Sequence, residues 1–320
     1  MKFNLPNAFD RHDNTRTKSG CATCVALIAG LMGSTAALAE DVQADPSPAI
    51  DAPAMYKVTD ENTTLYLYGT FHLLPPAVQW HSDAYAEAMA ASPRTIVEAD
   101  VQSPQAQAQI QALIPQLGLN QAGVTLSDTL GEERAARFET ALAHYGVPLA
   151  ALEQMRPWLA SLSLAQIAYS QAGFDPASGV ETSVLAQAAE EGDTLGYLET
   201  ATFQLETLAG LDEAELLASF DLGLEDIIAM DEMIQNGVEA WRTGNVQRLD
   251  DVLVAEARTT APGMFEAVFA GRNRNWVDQI EIFLAEDQDA FIAVGAGHLV
   301  GKDSVIDMLV ERGISVERIQ

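Results

Sequence analysis

Hydrophobic positions gather in short extended runs near the two ends of the chain and recur at helical spacing through its middle. Met55 to Thr59 alternates, Asp60-Glu61-Asn62-Thr63 is polar, and Thr64 to Gly69 is a second apolar run, a pattern that predicts a β-hairpin. Ser82 is placed to cap a helix to about Ala91, Pro93 ends it, and Arg94 to Glu98 reads as a third strand. From Ser103 to Leu152 the spacing is helical. Leu126-Ser127-Asp128-Thr129-Leu130 reads as a turn, and Glu132 to Tyr145 as an amphipathic helix. Pro157 opens a long helix, Trp158 to Ala172, and Gly179-Val180-Glu181 leads into another, to about Glu190. Thr194 to Leu198 is a fourth strand, ending at Glu199. Ala201 to Ala270 is helical and strongly acidic. Arg272 starts a helix to about Glu286, and Ala290 to Val294 is a buried strand. A helix from Lys302 to Glu311 and a strand from Ile314 to Ile319 close the chain. The trace predicts an α/β (α+β) fold. A central mixed sheet is built from the N- and C-terminal parts, with a large helical insertion at roughly 103–270 inside a single domain, 55–320.

Composition changes the picture at the N-terminus. Lys2, Arg11, Arg16 and Lys18 precede an apolar stretch from Cys21 to Leu38, and Ala37-Leu38-Ala39 fits a signal-peptidase site. Residues 1–39 therefore read as a cleaved export signal and 40–54, with Pro46, Pro48 and Pro53, as a flexible linker. The expected location is periplasmic or secreted. A retained anchor fits less well, because Gly and Ser-Thr interrupt the apolar run. No later stretch is apolar for long enough to span a membrane. Both cysteines, Cys21 and Cys24, fall in the leader, so the mature chain has no disulfide, thiolate metal site or Cys nucleophile. With 46 acidic and 17 basic residues the formal charge is −29, which opposes binding to nucleic acid or anionic lipid.

Four reactive groups stand just past predicted strand ends: His72, Glu98, Glu199 and His298. In open α/β sheets ligands bind outside the carboxyl ends of the strands. His72 and His298 each end a strand–Gly–x–x–His unit, Gly69-Thr70-Phe71-His72 and Gly295-Ala296-Gly297-His298. Two imidazoles with carboxylates suit a divalent Zn, Mn or Co ion that lowers the pKa of bound water. The same groups also suit metal-free hydrolysis, in which a His or a Glu raised toward neutrality by burial takes a proton from water. Spacing does not choose between these, and neither H-E-x-x-H nor G-x-S-x-G occurs. Arg272-Asn273 is suited either to clamp a substrate carboxylate or oxyanion, or to form a helix-start salt bridge. His81 reads as a surface residue, and His144 as a surface or packing residue.

Taken together, these motifs resemble the TraB/PrgY/GumN family. The resemblance rests on Leu65 to His72, Val97-Glu98, Arg156-Pro157-Trp158-Leu159 and Gly179-Val180-Glu181, then on Leu198-Glu199-Thr200 with Gln204, Arg272-Asn273-Arg274-Asn275-Trp276 and Val294 to Gly301. It implies a compact exported hydrolase, related to the Tiki metalloproteases and more distantly to erythromycin esterases. His72, Glu98 and His298 would be metal ligands, Glu199 and Arg272 would join them in catalysis, and Glu181, Gln204 and Asn273 are further site positions. The substrate class implied is a peptide, or a small ester or polysaccharide-related molecule. Two other readings remain beside a metal-dependent peptidase: a metal-independent esterase-like hydrolase on the same groups, and a peptide- or polysaccharide-binding module without turnover.

Overall fold

The computed structural model describes residues 52–226 and 230–320; the leader and most of the linker lie outside them. Six strands form one mixed sheet in the order β4-β3-β5-β2-β1-β6. They are β1 (Met55–Thr59), β2 (Thr64–Thr70), β3 (Arg94–Ala99), β4 (Thr194–Glu199), β5 (Ala290–Gly295) and β6 (Ser315–Arg318). β1 pairs antiparallel with β2 and with β6, whereas β2, β5, β3 and β4 run parallel. The first and last parts of the chain thus share one sheet, and β5 is inserted between β2 and β3. In the β2–β5 register Gly69 lies opposite Val294, and Thr70 opposite Gly295. The two Gly-x-x-His segments therefore leave adjacent parallel strands at the same level.

Apolar side chains on both faces explain the unbroken run in β5, since a strand covered on both sides reads as continuous rather than alternating. Phe291 and Ala293 enter the larger core with Tyr68, Tyr85 and Met89. Ile292 and Val294 enter a second core with Leu65, Leu67, Trp276 and Ile280.

Helices α1 (Asp83–Ala90), α2 (Pro104–Leu117), α3 (Leu126–His144), α4 (Pro157–Gln171) and α5 (Val180–Glu191) precede β4. After it come α6 (Ala201–Ala209), α7 (Glu213–Asp226), α8 (Met230–Arg242), α9 (Val246–Leu253), α10 (Ala255–Thr260) and α11 (Pro262–Phe265). α12 (Gly271–Leu284) leads to β5, and α13 (Val305–Glu311) lies between β5 and β6. β4 thus interrupts the long helical span. The segment Leu126–Leu130, read from the sequence as a turn, is instead the first turn of α3. A reciprocal cap between Thr125 and Asp128 starts this helix, and the break comes later, at Gly131 (φ 75°). Among the described residues no helix is long and apolar enough to cross a membrane.

Candidate active site

The carboxyl ends of the four parallel strands carry the four groups singled out in the sequence. His72 follows β2, Glu98 is the penultimate residue of β3, Glu199 ends β4, and His298 sits in the short 3-10 turn Ala296–Leu299 after β5. Gly295 marks where three of them converge. A β-carbon built there would lie 3.1 Å from Glu98 Oε1, 3.6 Å from His298 Cδ2 and 3.8 Å from His72 Nε2.

Arg272 organises the buried half of the site. It is only 1% exposed, at the start of α12, directly after a π-helical turn at Glu266–Ala270. Such turns insert an extra residue, rotate the next stretch of helix, and recur at functional sites. All five N–H groups of the guanidinium are used. Nε donates to Glu199 at 2.9 Å, and Nη2 donates to Glu98 Oε2 at 2.6 Å and to Glu199. Nη1 donates to the Val268 carbonyl at 3.2 Å and contacts His298 Nε2 at 3.1 Å. Trp276, one helical turn on, lies 4.6 Å from the guanidinium carbon at its ring centroid and donates its indole N–H to Glu199 Oε2 at 3.2 Å.

The tautomer of His298 is set by its neighbours. Asn273 Nδ2 donates to the Asp303 carbonyl at 2.8 Å, which turns its Oδ1 toward His298 Nδ1 at 2.6 Å. Nδ1 therefore carries the proton, and Nε2 presents a lone pair to Arg272. Burial and the Arg272 charge pull the His298 pKa down to about 3, so the ring is neutral at ordinary pH.

Glu98 and His72 are driven in opposite directions. Burial alone would raise Glu98, but the Arg272 guanidinium outweighs it, aided by the Gly295 N–H bonded to Oε1 at 2.7 Å, and holds the carboxyl down at about 2. Burial pushes the Glu199 carboxyl up, in contrast to Glu98. Burial alone would lower His72, but the Glu181 carboxylate, with Oε1 2.6 Å from Nδ1, pushes it up to about 9.

Local chain geometry fixes this dyad. The Phe71 carbonyl accepts from Val180 N at 2.9 Å, the Leu74 carbonyl accepts from Asp175 N at 3.1 Å, and Thr70 Oγ1 donates to Glu181. Trp241 Nε1 donates to the Gly69 carbonyl at 2.7 Å. Gly179, which caps α5, packs so close that a β-carbon there would lie 2.1 Å from the His72 carbonyl oxygen. Gly179→Ala should therefore cost about 1–3 kcal/mol through overpacking, measured by urea denaturation. A variant as stable as the parent would show that the loop yields freely.

His72, Glu98, Glu181 and Gln204 line a cleft of about 830 Å³. A side hollow of about 30 Å³, bounded by His72, Glu98, Gly295 and His298, has room for about one or two waters. Gln204 donates from Nε2 to Glu199 at 2.8 Å and to Glu98 at 3.2 Å. All eight residues expected from the sequence thus fall in one connected region, though not in the same roles. Arg272 does not face the cleft and has no N–H left over, so the expected clamp on a substrate carboxylate is replaced by its alternative, a buried ion-pair hub. Glu199 and Asn273 orient other side chains from behind. Thr70, Gly295 and Trp276 stand in the sequence motifs without a chemical role, and each donates a hydrogen bond to a site carboxylate, Glu181, Glu98 and Glu199 respectively. Trp276 reads as packing in the sequence, and only its spacing of four from Arg272 signals a shared helix face. His81 and His144 are exposed.

Of the three donors assigned to a divalent metal by resemblance, Glu98 and His298 are engaged by protein groups, whereas His72 is paired through Nδ1 with Glu181. His298 Nε2 and Glu98 Oε2 face Arg272, and Glu98 Oε1 holds the Gly295 N–H. Among the described residues no group of three or more His, Cys, Asp and Glu is arranged to hold a metal ion. With Glu98 and His298 both held by Arg272, this arrangement of donors does not fit a metal ion. A family model described as the TraB/PrgY/gumN family matches residues 54–318. No curated protein sequence and no solved structure matches the chain.

Proposed function

The chain belongs to the TraB/PrgY/gumN family, and from that premise we propose that it is a hydrolase of peptide or ester acyl bonds, with Glu98 as general base and His72 as general acid. The observation that carries this reading is the opposed pairing of two groups on one cleft, Glu98 against the Arg272 guanidinium at 2.6 Å and His72 against the Glu181 carboxylate at 2.6 Å. Pairs whose surroundings push their pKa values apart identify an acid and a base. Arg272 keeps Glu98 ionised, with its pKa near 2, and Glu181 keeps His72 protonated up to about 9.

In the proposed reaction a water in the hollow beside Gly295 gives its proton to Glu98 as its oxygen bonds the acyl carbon. The carbonyl π electrons move to oxygen, forming a tetrahedral oxyanion. Collapse re-forms the carbonyl and breaks the bond to the leaving nitrogen or oxygen, which takes the Nε2 proton of His72. Loss of the Glu98 proton to solvent and reprotonation of His72 restore the site. Each such proton transfer contributes roughly 10²–10⁴-fold to rate.

Measured against p-nitrophenyl esters and fluorogenic peptides, kcat/KM should stay level through neutral pH and fall as pH rises through about 9, where His72 loses its proton. The base limb lies near 2. Turnover should survive exhaustive chelation with EDTA. A rate abolished by EDTA and restored by Zn, Mn or Co would sink this assignment and restore the metal-dependent peptidase expected from the family resemblance.

We also propose export to the periplasm or the cell exterior, supported by the basic-then-apolar leader and the Ala37-Leu38-Ala39 site. N-terminal sequencing of the mature protein should begin at Glu40, whereas a chain beginning at Met1 would refute cleavage.

A further inference from the structure

The large cleft carries features that the water-activating groups do not use. Its lining includes the acidic side chains Glu98, Glu181 and Asp175 but neither lysine nor arginine. Its cation is His72, already paired with Glu181. The strong buried cation of the region, Arg272, lies behind Glu98 with its donors filled. An anionic ligand would therefore meet carboxylates with nothing free to neutralise it. The lining also includes the apolar and aromatic side chains of Tyr169, Phe174, Leu185 and Leu73, and the Tyr169 and Phe174 rings lie 5.7 Å apart.

Tyr169 adds a polar feature to that wall. Its side chain is only 3% exposed and projects from α4, yet its hydroxyl makes no hydrogen bond to any described residue. Tyr68 shows the contrast. Its hydroxyl is also unpartnered but is sealed within an aromatic cluster, whereas Tyr169 borders the cleft. Burial drives the Tyr169 pKa well above the ordinary tyrosine value, so the group remains a donor.

We propose that this cleft selects uncharged or cationic ligands with an apolar side chain and rejects carboxylates, and that the Tyr169 hydroxyl positions the ligand by donating to its carbonyl oxygen. The inference names the substrate class of the hydrolase proposed above and rests on that reading for its reaction. As a statement about binding, it can be tested separately.

Three probes that share a phenyl group separate the elements: neutral N-acetylphenylalaninamide, cationic phenethylamine and anionic N-acetylphenylalanine. Calorimetric titration of the mature chain at pH 7 should show the amide and the amine binding, with the carboxylate roughly tenfold or more weaker. Tyr169→Phe should weaken the amide by roughly three- to tenfold and leave phenethylamine unchanged, because only the amide offers a carbonyl to the lost hydroxyl. Circular dichroism confirms that the variant is folded, and Tyr169→Leu, read against the same amine, reports loss of the aromatic wall alone. The proposal is overturned if the carboxylate binds as well as the amide, if Tyr169→Phe weakens amide and amine equally or neither, or if none of the probes binds at millimolar concentration. The expected binding pattern with no turnover of any amide or ester would leave this inference standing and remove the hydrolase reading.

Discussion

Arg272→Ala is expected to destabilise the protein by about 3–5 kcal/mol, because it strands buried Glu98 and Glu199 without their shared cation. The loss should depend on pH in a defined direction. In the parent, Glu98 titrates at about 2, below its ordinary value of 4.5. A depressed carboxylate contributes stability that is present above the unfolded value and lost as pH falls through the folded one. Without Arg272, burial dominates and the charged form becomes a liability at neutral pH. The gap between parent and variant should therefore be widest near pH 7 and narrow as pH falls, first as the stranded carboxyls of the variant protonate above their ordinary 4.5 and then as Glu98 of the parent protonates toward about 2. Urea denaturation at several pH values reads this directly. A gap that stays constant with pH would mean that the guanidinium acts through packing on Trp276 rather than through charge. Arg272→Lys should recover only part of the loss, since one ammonium cannot supply five donors in a fork.

His72→Ala should lower kcat/KM on the ester and peptide panel by roughly 10²–10⁴-fold, the usual worth of a positioned proton donor. Its stability cost should be much smaller than that of Arg272→Ala. The His72 side chain is 26% exposed at the cleft wall, so its removal opens space to water rather than leaving a sealed cavity. Thermal denaturation beside the kinetic assay separates the two effects. Unchanged turnover in a folded variant would remove His72 from the chemistry. Together the two substitutions distinguish the half of the site that holds charge in place from the half proposed to move a proton.

Much of this was legible in the sequence for local reasons. The strands announce themselves as short apolar or alternating runs bounded by Gly, Pro or polar clusters, and the reactive groups fall at or just beyond the ends of the parallel ones. The start of α3 was hidden because Thr125, Ser127 and Asp128 serve equally well as turn residues and as a helix cap. What the sequence could not show is distance. Glu98 and Arg272 are separated by 174 positions, so neither the hub they share nor the inverted pKa of Glu98 has a local signature. An arginine opening a helix in a chain with 46 acids has many possible partners. Only the sheet order, with β5 between β2 and β3, selects the two that matter.

That insertion of β5 also governs the order in which the molecule can be built. β5 spans residues 290–295, yet it is an interior strand, hydrogen-bonded to β2 on one side and to β3 on the other. Until it emerges, the earlier strands have an open slot where the sheet should be continuous, with apolar edges facing one another across it. Closing that slot brings together segments more than two hundred residues apart, a slow step for any chain. The nascent protein must therefore remain incompletely folded, and vulnerable to aggregation, until residues 290–295 have emerged. The site is assembled only then: a chain cut before β5 loses both His298 and the strand that aligns His72 with Glu98.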